Sequence, residues 1–168
     1  MIQVKLDLYE LMASSQTGLL RVFESIRLKQ SWGYGFKGDL NDQISKSISG
    51  SCSELACSKY LETDYTHHVN HGSNPDLLYH DLHLQVRSQR PKENNFLIIR
   101  PKSKKNELYI FIIDKAPIFE IHGFVNSSHI IGTKKYLTDL GKKDRPPCHA
   151  IPLDQLTPIK LLKDGNWN

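Results

Sequence analysis

The chain has 168 residues, enough for one domain with a real hydrophobic core. Hydrophobic residues at 39% and charged residues at 24% are ordinary for a soluble globular protein and exclude a low-complexity chain. The net charge of +4 is a mild bias toward polyanions, and no apolar run approaches the roughly 20 residues that a spanning helix needs. Met1 to Leu6 has neither the basic nor the long apolar segment of a secretion signal. Cys52, Cys57 and Cys148 form no CxxC pair, which suits reduced thiols and a cytoplasmic setting.

Ile2, Val4 and Leu6 alternate, as in a short first strand. Asp7 with Glu10 three residues on predicts a capping box. Leu8, Leu11, Met12, Leu19, Val22, Phe23 and Ile26 then follow helical spacing, predicting a helix from about Leu8 to Lys29 with this stripe in the core. Ser31 to Asn41 carries three glycines and reads as a loop. A second helix is expected from about Asp42 to Leu61, with Ile44, Ile48, Leu55 and Ala56 on its apolar side. Beside them Ser47, Gly50, Ser51, Glu54, Cys57 and Ser58 make a stripe of small side chains in which Glu54 alone is charged. Small residues let a helix approach a sheet closely, which would bring that carboxylate near strand residues; the alternative is an exposed Glu on an amphipathic helix.

Thr63 to Pro75 is polar, and after it the period becomes two. Strands are expected at Leu82 to Ser88, Phe96 to Arg100, Leu108 to Ile113 and Ile118 to Val125. Leu108 to Ile113 is almost continuously apolar, as a central strand covered on both faces would be. Thr133 to Leu140 reads as a short helix, Ala150 to Pro152 as a late edge strand, and Asp154 to Leu156 as a turn of helix. Helices followed by a meander give an α+β class, a mixed sheet of about four or five strands with the first two helices on one side, in a single domain over residues 1–168.

Along the first of these strands Leu82, Leu84 and Val86 alternate with Asp81, His83, Gln85 and Arg87. Such groups need a metal, a phosphate or each other. Pro75-Asp76 followed by Gln85-Val86-Arg87 has the spacing of a degenerate PD-(D/E)XK motif. Glu54, Asp76 and Gln85 could supply three hard oxygens and the Val86 carbonyl a fourth, a set suited to magnesium. The competing reading is a buried network of Asp81, Gln85 and Arg87 that ties the sheet to the helices. Charge is segregated around these residues. Glu54 to Gln85 carries five acids against Lys59, whereas Arg87 to Lys105 carries seven basic residues against Glu93. An acidic centre beside a basic stretch suits a cation site next to a phosphate track through Arg87, Arg90, Arg100, Lys102, Lys104 and Lys105. Lys134 to Arg145 is a second basic stretch. Zinc at His67, His68 and His71 and a nucleophile at Cys57 or Cys148 are weaker alternatives.

Read together, Gly50-Ser51-Cys52-Ser53-Glu54-Leu55-Ala56, Val69-Asn70, Pro75-Asp76, Gln85-Val86-Arg87, Leu97-Ile98-Ile99-Arg100-Pro101, His122-Gly123-Phe124, Ile151-Pro152-Leu153 and Leu156-Thr157-Pro158 resemble a family of small phage-encoded proteins with a PD-(D/E)XK nuclease-like core. The resemblance covers nearly the whole chain. It implies a restriction-endonuclease-like fold and a magnesium- or manganese-dependent deoxyribonuclease of phage DNA metabolism, acting in the host cytoplasm. It also implies Glu54, Asp76 and Gln85 as metal ligands and Arg87 in the place of the usual lysine. Gln is a neutral and weaker ligand, and Arg stays protonated, so it stabilises charge without taking a proton. His83, on the same strand face, is a candidate for that proton. Nine residues separate Asp76 from Gln85, which leaves Asp81 as an alternative ligand. Two other readings are a non-catalytic nucleic-acid-binding module on a decayed nuclease core and a phage accessory protein that binds a host protein.

Overall fold

A computed structural model describes residues 1–30, 38–69, 75–101, 103, 106–141 and 146–166. Strand β1 (Ile2–Lys5) leads into helix α1 (Leu8–Arg27). The capping box is present: the Glu10 amide donates to Asp7 at 2.9 Å and the Asp7 amide to Glu10 at 2.7 Å. Helix α2 (Leu40–Leu61) begins after Asp39, whose side chain accepts from the Asp42 amide. It ends where Glu62 turns into left-handed backbone, φ 56°. Of the loop expected over Ser31 to Asn41, residues 31–37 lie outside the described residues.

The strands that follow are β2 (Leu77–Tyr79), β3 (Leu82–Gln89), β4 (Phe96–Ile99), β5 (Leu108–Lys115), β6 (Ile118–Asn126), β7 (Leu137–Thr138) and β8 (Cys148–Pro152), before a last short helix α3 (Ile159–Lys163). The class is α+β. The main sheet is mixed and five-stranded, in the order β1-β6-β5-β3-β2. Its middle strand is β5, and Leu108 to Ile113 are all buried, as a continuous apolar run requires. β3 and β5 run parallel, with Gln85 beside Tyr109 and Arg87 beside Phe111. Parallel neighbours need a crossover, and the chain from Arg90 to Glu107 supplies it. Strand β4 lies in that crossover and joins a second sheet, β4-β8-β7.

Two expectations change here. Ala150 to Pro152 belongs to the central strand of the second sheet: these residues pair with β4, and β7 pairs on the other side of the same strand at Cys148 and His149. Thr133 to Leu140 forms no helix: Leu137 and Thr138 pair with His149 and Cys148, and Tyr136 packs against the core of the small sheet. The one-turn expectation at Asp154 to Leu156 corresponds to a 3-10 turn at Leu153–Gln155.

Alternation divides the core in two. Leu84, Val86, Ile110, Ile112, Phe119 and Ile121 face α2, meeting Cys52, Ala56, Cys57 and Leu61. Tyr109, Phe111 and Ile113 point the other way, onto Leu97, Ile99 and Ile151 of the small sheet. Helix α1 lies outside α2. The apolar stripe expected to fill its core side is mostly turned outward: Leu8, Met12, Phe23 and Ile26 are exposed and only Val22 is buried. The face that α1 buries consists of Ser14, Thr17, Gly18 and Val22. Close approach explains the choice. A methyl group added at Gly18 would sit 2.6 Å from the Ile48 Cα and 2.7 Å from the Ser47 carbonyl oxygen. Both are backbone and have little room to move. Gly18→Ala is therefore expected to destabilise by about 1–3 kcal/mol, the cost of overpacking. Helix propensity alone would stabilise the substitution by about 1 kcal/mol. Urea unfolding separates the two, and a raised midpoint would contradict this packing.

Candidate functional site

β2 and β3 form a hairpin through His80 and Asp81, both in left-handed backbone at φ 45° and 63°. A two-residue loop with positive φ at both positions matches the twist of the flanking strands. β2 is short, so pairing on that edge of β3 stops near Asp76. There the Asp76 Oδ2 accepts from the Val86 amide at 2.8 Å, taking the ladder's place. The same oxygen accepts from an Arg87 Nη at 3.0 Å. That Arg87 nitrogen also donates to the Val86 carbonyl at 2.8 Å, and the other Nη donates to Gln85 Oε1 at 2.8 Å. Three hard oxygens, from Asp76, Gln85 and the Val86 carbonyl, thus converge on one guanidinium. Arg87 further lies over the Tyr109 ring, 5.2 Å from its centroid.

Glu54 approaches from the helix layer. It is buried on α2, and Arg21 of α1 grips both its oxygens at 2.8 Å. Arg21 also donates through Nε to the His68 carbonyl at 2.8 Å. Burial holds the Glu54 carboxyl above the ordinary carboxylate range, and the Asp76 charge adds to this; Arg21 and Arg87 pull in the opposite direction. Glu54 therefore lies within electrostatic reach of both Asp76 and Arg87. Gln85 and Arg87, however, project from the face of the sheet opposite α2, beside Tyr109 and Phe111.

For a magnesium ion the donor chemistry fits: one carboxylate, one amide oxygen and one carbonyl leave positions for the waters that this ion keeps. Each of those donors is bonded to the Arg87 guanidinium in this structure. Among the described residues no three or more His, Cys, Asp or Glu side chains group as metal ligands. Asp81 is separated from this set. It is an exposed turn residue outside β3, four residues from Gln85, about 13 Å at strand spacing. The network of Asp81, Gln85 and Arg87 is replaced by one of Asp76, Gln85 and Arg87.

Two residues enter that sequence reading did not single out. Arg21 stands at helical spacing from Ser14, Thr17 and Gly18, a small-residue stripe like the one around Glu54; matching the two stripes would have found the pair. Glu107, just before β5, is buried and accepts from Gln85 Nε2 at 3.4 Å and from the Tyr109 hydroxyl at 3.3 Å. Its approach depends on the parallel pairing of β3 with β5, which an expected meander does not suggest.

Of the basic track, Arg90 donates to the Ser45 hydroxyl at 2.8 Å and Arg100 is exposed at the end of β4. Lys102, Lys104 and Lys105 lie outside the described residues, as do residues 142–145 of the second basic stretch. Ser103 between them hydrogen-bonds the Tyr109 hydroxyl, so the crossover passes beside Arg87. The weaker alternatives find other partners. His67 Nδ1 lies 2.6 Å from the Thr17 hydroxyl, and His71 lies outside the described residues. Burial pushes the Cys57 thiol well up, which makes it inert, and Cys148 is also buried.

Comparison of the chain with protein-family models, with curated proteins and with solved structures returns no match. Among the described residues no helix is long and apolar enough to cross a membrane.

Proposed function

We propose that the chain is a magnesium-dependent deoxyribonuclease of the PD-(D/E)XK type, acting on DNA in phage metabolism. The observation that supports it is the convergence of Asp76 Oδ2, Gln85 Oε1 and the Val86 carbonyl on one cation. The PD-(D/E)XK resemblance implies Asp76 and Gln85 as metal ligands, and the Val86 carbonyl is the further oxygen that the sequence offers beside them. A bound magnesium ion would act as a Lewis acid on the phosphoryl group. Asp76, Gln85 and Val86 would hold it, with Glu54 nearby on α2. Arg87 is the group that must give way. Its side chain is 41% exposed, so it can leave these oxygens for solvent or for a phosphate. Its fixed charge would then offset the negative charge that develops on the phosphoryl oxygens. It stays protonated throughout, so it takes no proton.

A second reading rests on the same bonds. Glu54 is already paired with Arg21 and Asp76 with Arg87, so both of these acids are neutralised without an ion. A nuclease core in this state would bind DNA without cutting it. Nicking of plasmid and single-stranded DNA with magnesium or manganese, with EDTA as control, separates the two. Metal-dependent cleavage supports the enzyme. No cleavage on any substrate, with no metal uptake by calorimetry, would leave the binding module.

Both readings expect salt-dependent DNA binding through the crossover. Reversing the charge of Lys102, Lys104 and Lys105 should flatten the slope of log K against log salt by about 0.9 for each phosphate that is no longer neutralised. An unchanged slope would move the track to Lys134 to Arg145.

A further inference from the structure

The solvent face of α1 is built backwards for a surface helix. Polar and small residues are buried against α2, while Tyr9 is 81% exposed and Met12, Leu20 and Phe23 are each 52% exposed. A surface helix normally shows the reverse. With Leu8 and Ile26 on its flanks, the stripe leaves on the order of 600 Å² of apolar side chain in water, at about 150–250 Å² for a large side chain. Monomers rarely expose so large a patch, and a standard interface takes about 800 Å² from each partner.

The spacing along this face reads the same in both directions. Tyr9, Met12, Gln16, Leu20 and Phe23 are separated by three, four, four and three residues, with exposed Gln16 in the middle. Two such helices laid antiparallel about a two-fold axis at Gln16 bring Tyr9 against Phe23 of the other copy, and Met12 against Leu20. Leu19 falls opposite Ala13, a large side chain facing a small one. At the axis Gln16 meets its own copy, and a carboxamide both donates and accepts. A two-fold contact needs self-complementarity of this kind. We infer that the chain forms a homodimer through the outer face of α1, antiparallel, with its axis at Gln16. Helix α1 runs about 30 Å at 1.5 Å per residue, which sets the length of the seam.

The test uses the full chain. Sedimentation is expected to show a dimer, and Phe23→Glu, at an exposed position, to raise the dissociation constant about tenfold or more with an unchanged circular dichroism spectrum. Gln16→Cys fixes the register. Under mild oxidation it should link to its own copy, because a residue on a two-fold axis meets itself. Arg27→Cys should not link, since the two-fold carries it past the start of the other α1, to the level of Lys5 in β1, beyond the seam. The native cysteines are all buried and do not interfere. A monomer at about 100 µM, a concentration about a hundredfold above a micromolar dissociation constant, would overturn the proposal. So would linkage through Arg27→Cys in preference to Gln16→Cys, or a dimer indifferent to Phe23→Glu.

Discussion

Arg21→Ala is expected to destabilise the fold by about 3–5 kcal/mol near neutral pH, the cost of leaving a buried charge without its partner. The Glu54 side chain is 8% exposed and that of Arg21 is 17% exposed, so solvent does little to screen the loss. Both carboxylate oxygens are bound by Arg21, the side chain that neutralises them in the fold. Replacing the pair together, with Arg21→Met and Glu54→Leu, should cost far less than Arg21→Ala alone, because no charge is then stranded.

The same pair gives the deficit a pH dependence with a definite sign. Burial raises the Glu54 carboxyl above its ordinary range in the folded protein. The native state thus holds this proton more tightly than the unfolded chain. Stability from this group is complete below about pH 4.3, the ordinary glutamate value, and is lost as pH rises through the native value. Without Arg21 the native value moves further up. The Arg21→Ala deficit should therefore be large at pH 7 and shrink toward pH 4, where Glu54 is neutral. Urea unfolding at both pH values measures it. Equal deficits at the two would mean that the loss is one of packing, not of charge.

Much of the architecture was legible because it follows from periodicity. The capping box at Asp7, the apolar run of β5 and the alternation of β3 each dictate one local structure, and each is found. What periodicity cannot show is which surface covers a face. The stripe of Leu8, Met12, Phe23 and Ile26 has the spacing of a core helix, yet Gly18 and Ser14 bring α1 so near to α2 that only small side chains fit between them. The second sheet was hidden for a related reason. Phe96 to Arg100 reads as a strand, found at Phe96–Ile99, but nothing local says that it leaves the main sheet to bridge parallel β3 and β5. At the candidate site, strand spacing put Gln85 and Arg87 on one face, and the PD-(D/E)XK motif spacing added Asp76. It could not show that Arg87 would bond all three oxygens, because that depends on where β2 stops and leaves the Val86 amide free for Asp76.

Asp76→Ala is expected to abolish metal-dependent cleavage, since it removes the one carboxylate among the three converging oxygens. The Val86 amide then loses its acceptor at the strand edge, where water can replace it, so the fold should persist. Asp81→Ala, at the exposed turn, should leave cleavage unchanged. Gln85→Glu adds a charged ligand and should tighten magnesium binding, read by calorimetry. The Arg87 substitutions divide the two proposed readings most sharply. In the enzyme, Arg87→Lys keeps a positive charge but gives up the planar fork that spans Gln85 and Asp76. It should free the oxygens for the ion and retain or raise activity. Arg87→Ala should lower the rate by about 10²–10³, the usual loss for one charge-stabilising donor. In the binding module the fork is structural. There Arg87→Lys and Arg87→Ala would both lower the unfolding midpoint, and neither would create cleavage. A rate unaffected by Arg87→Ala in an active protein would remove Arg87 from the chemistry and leave it as the clasp between β3 and Asp76.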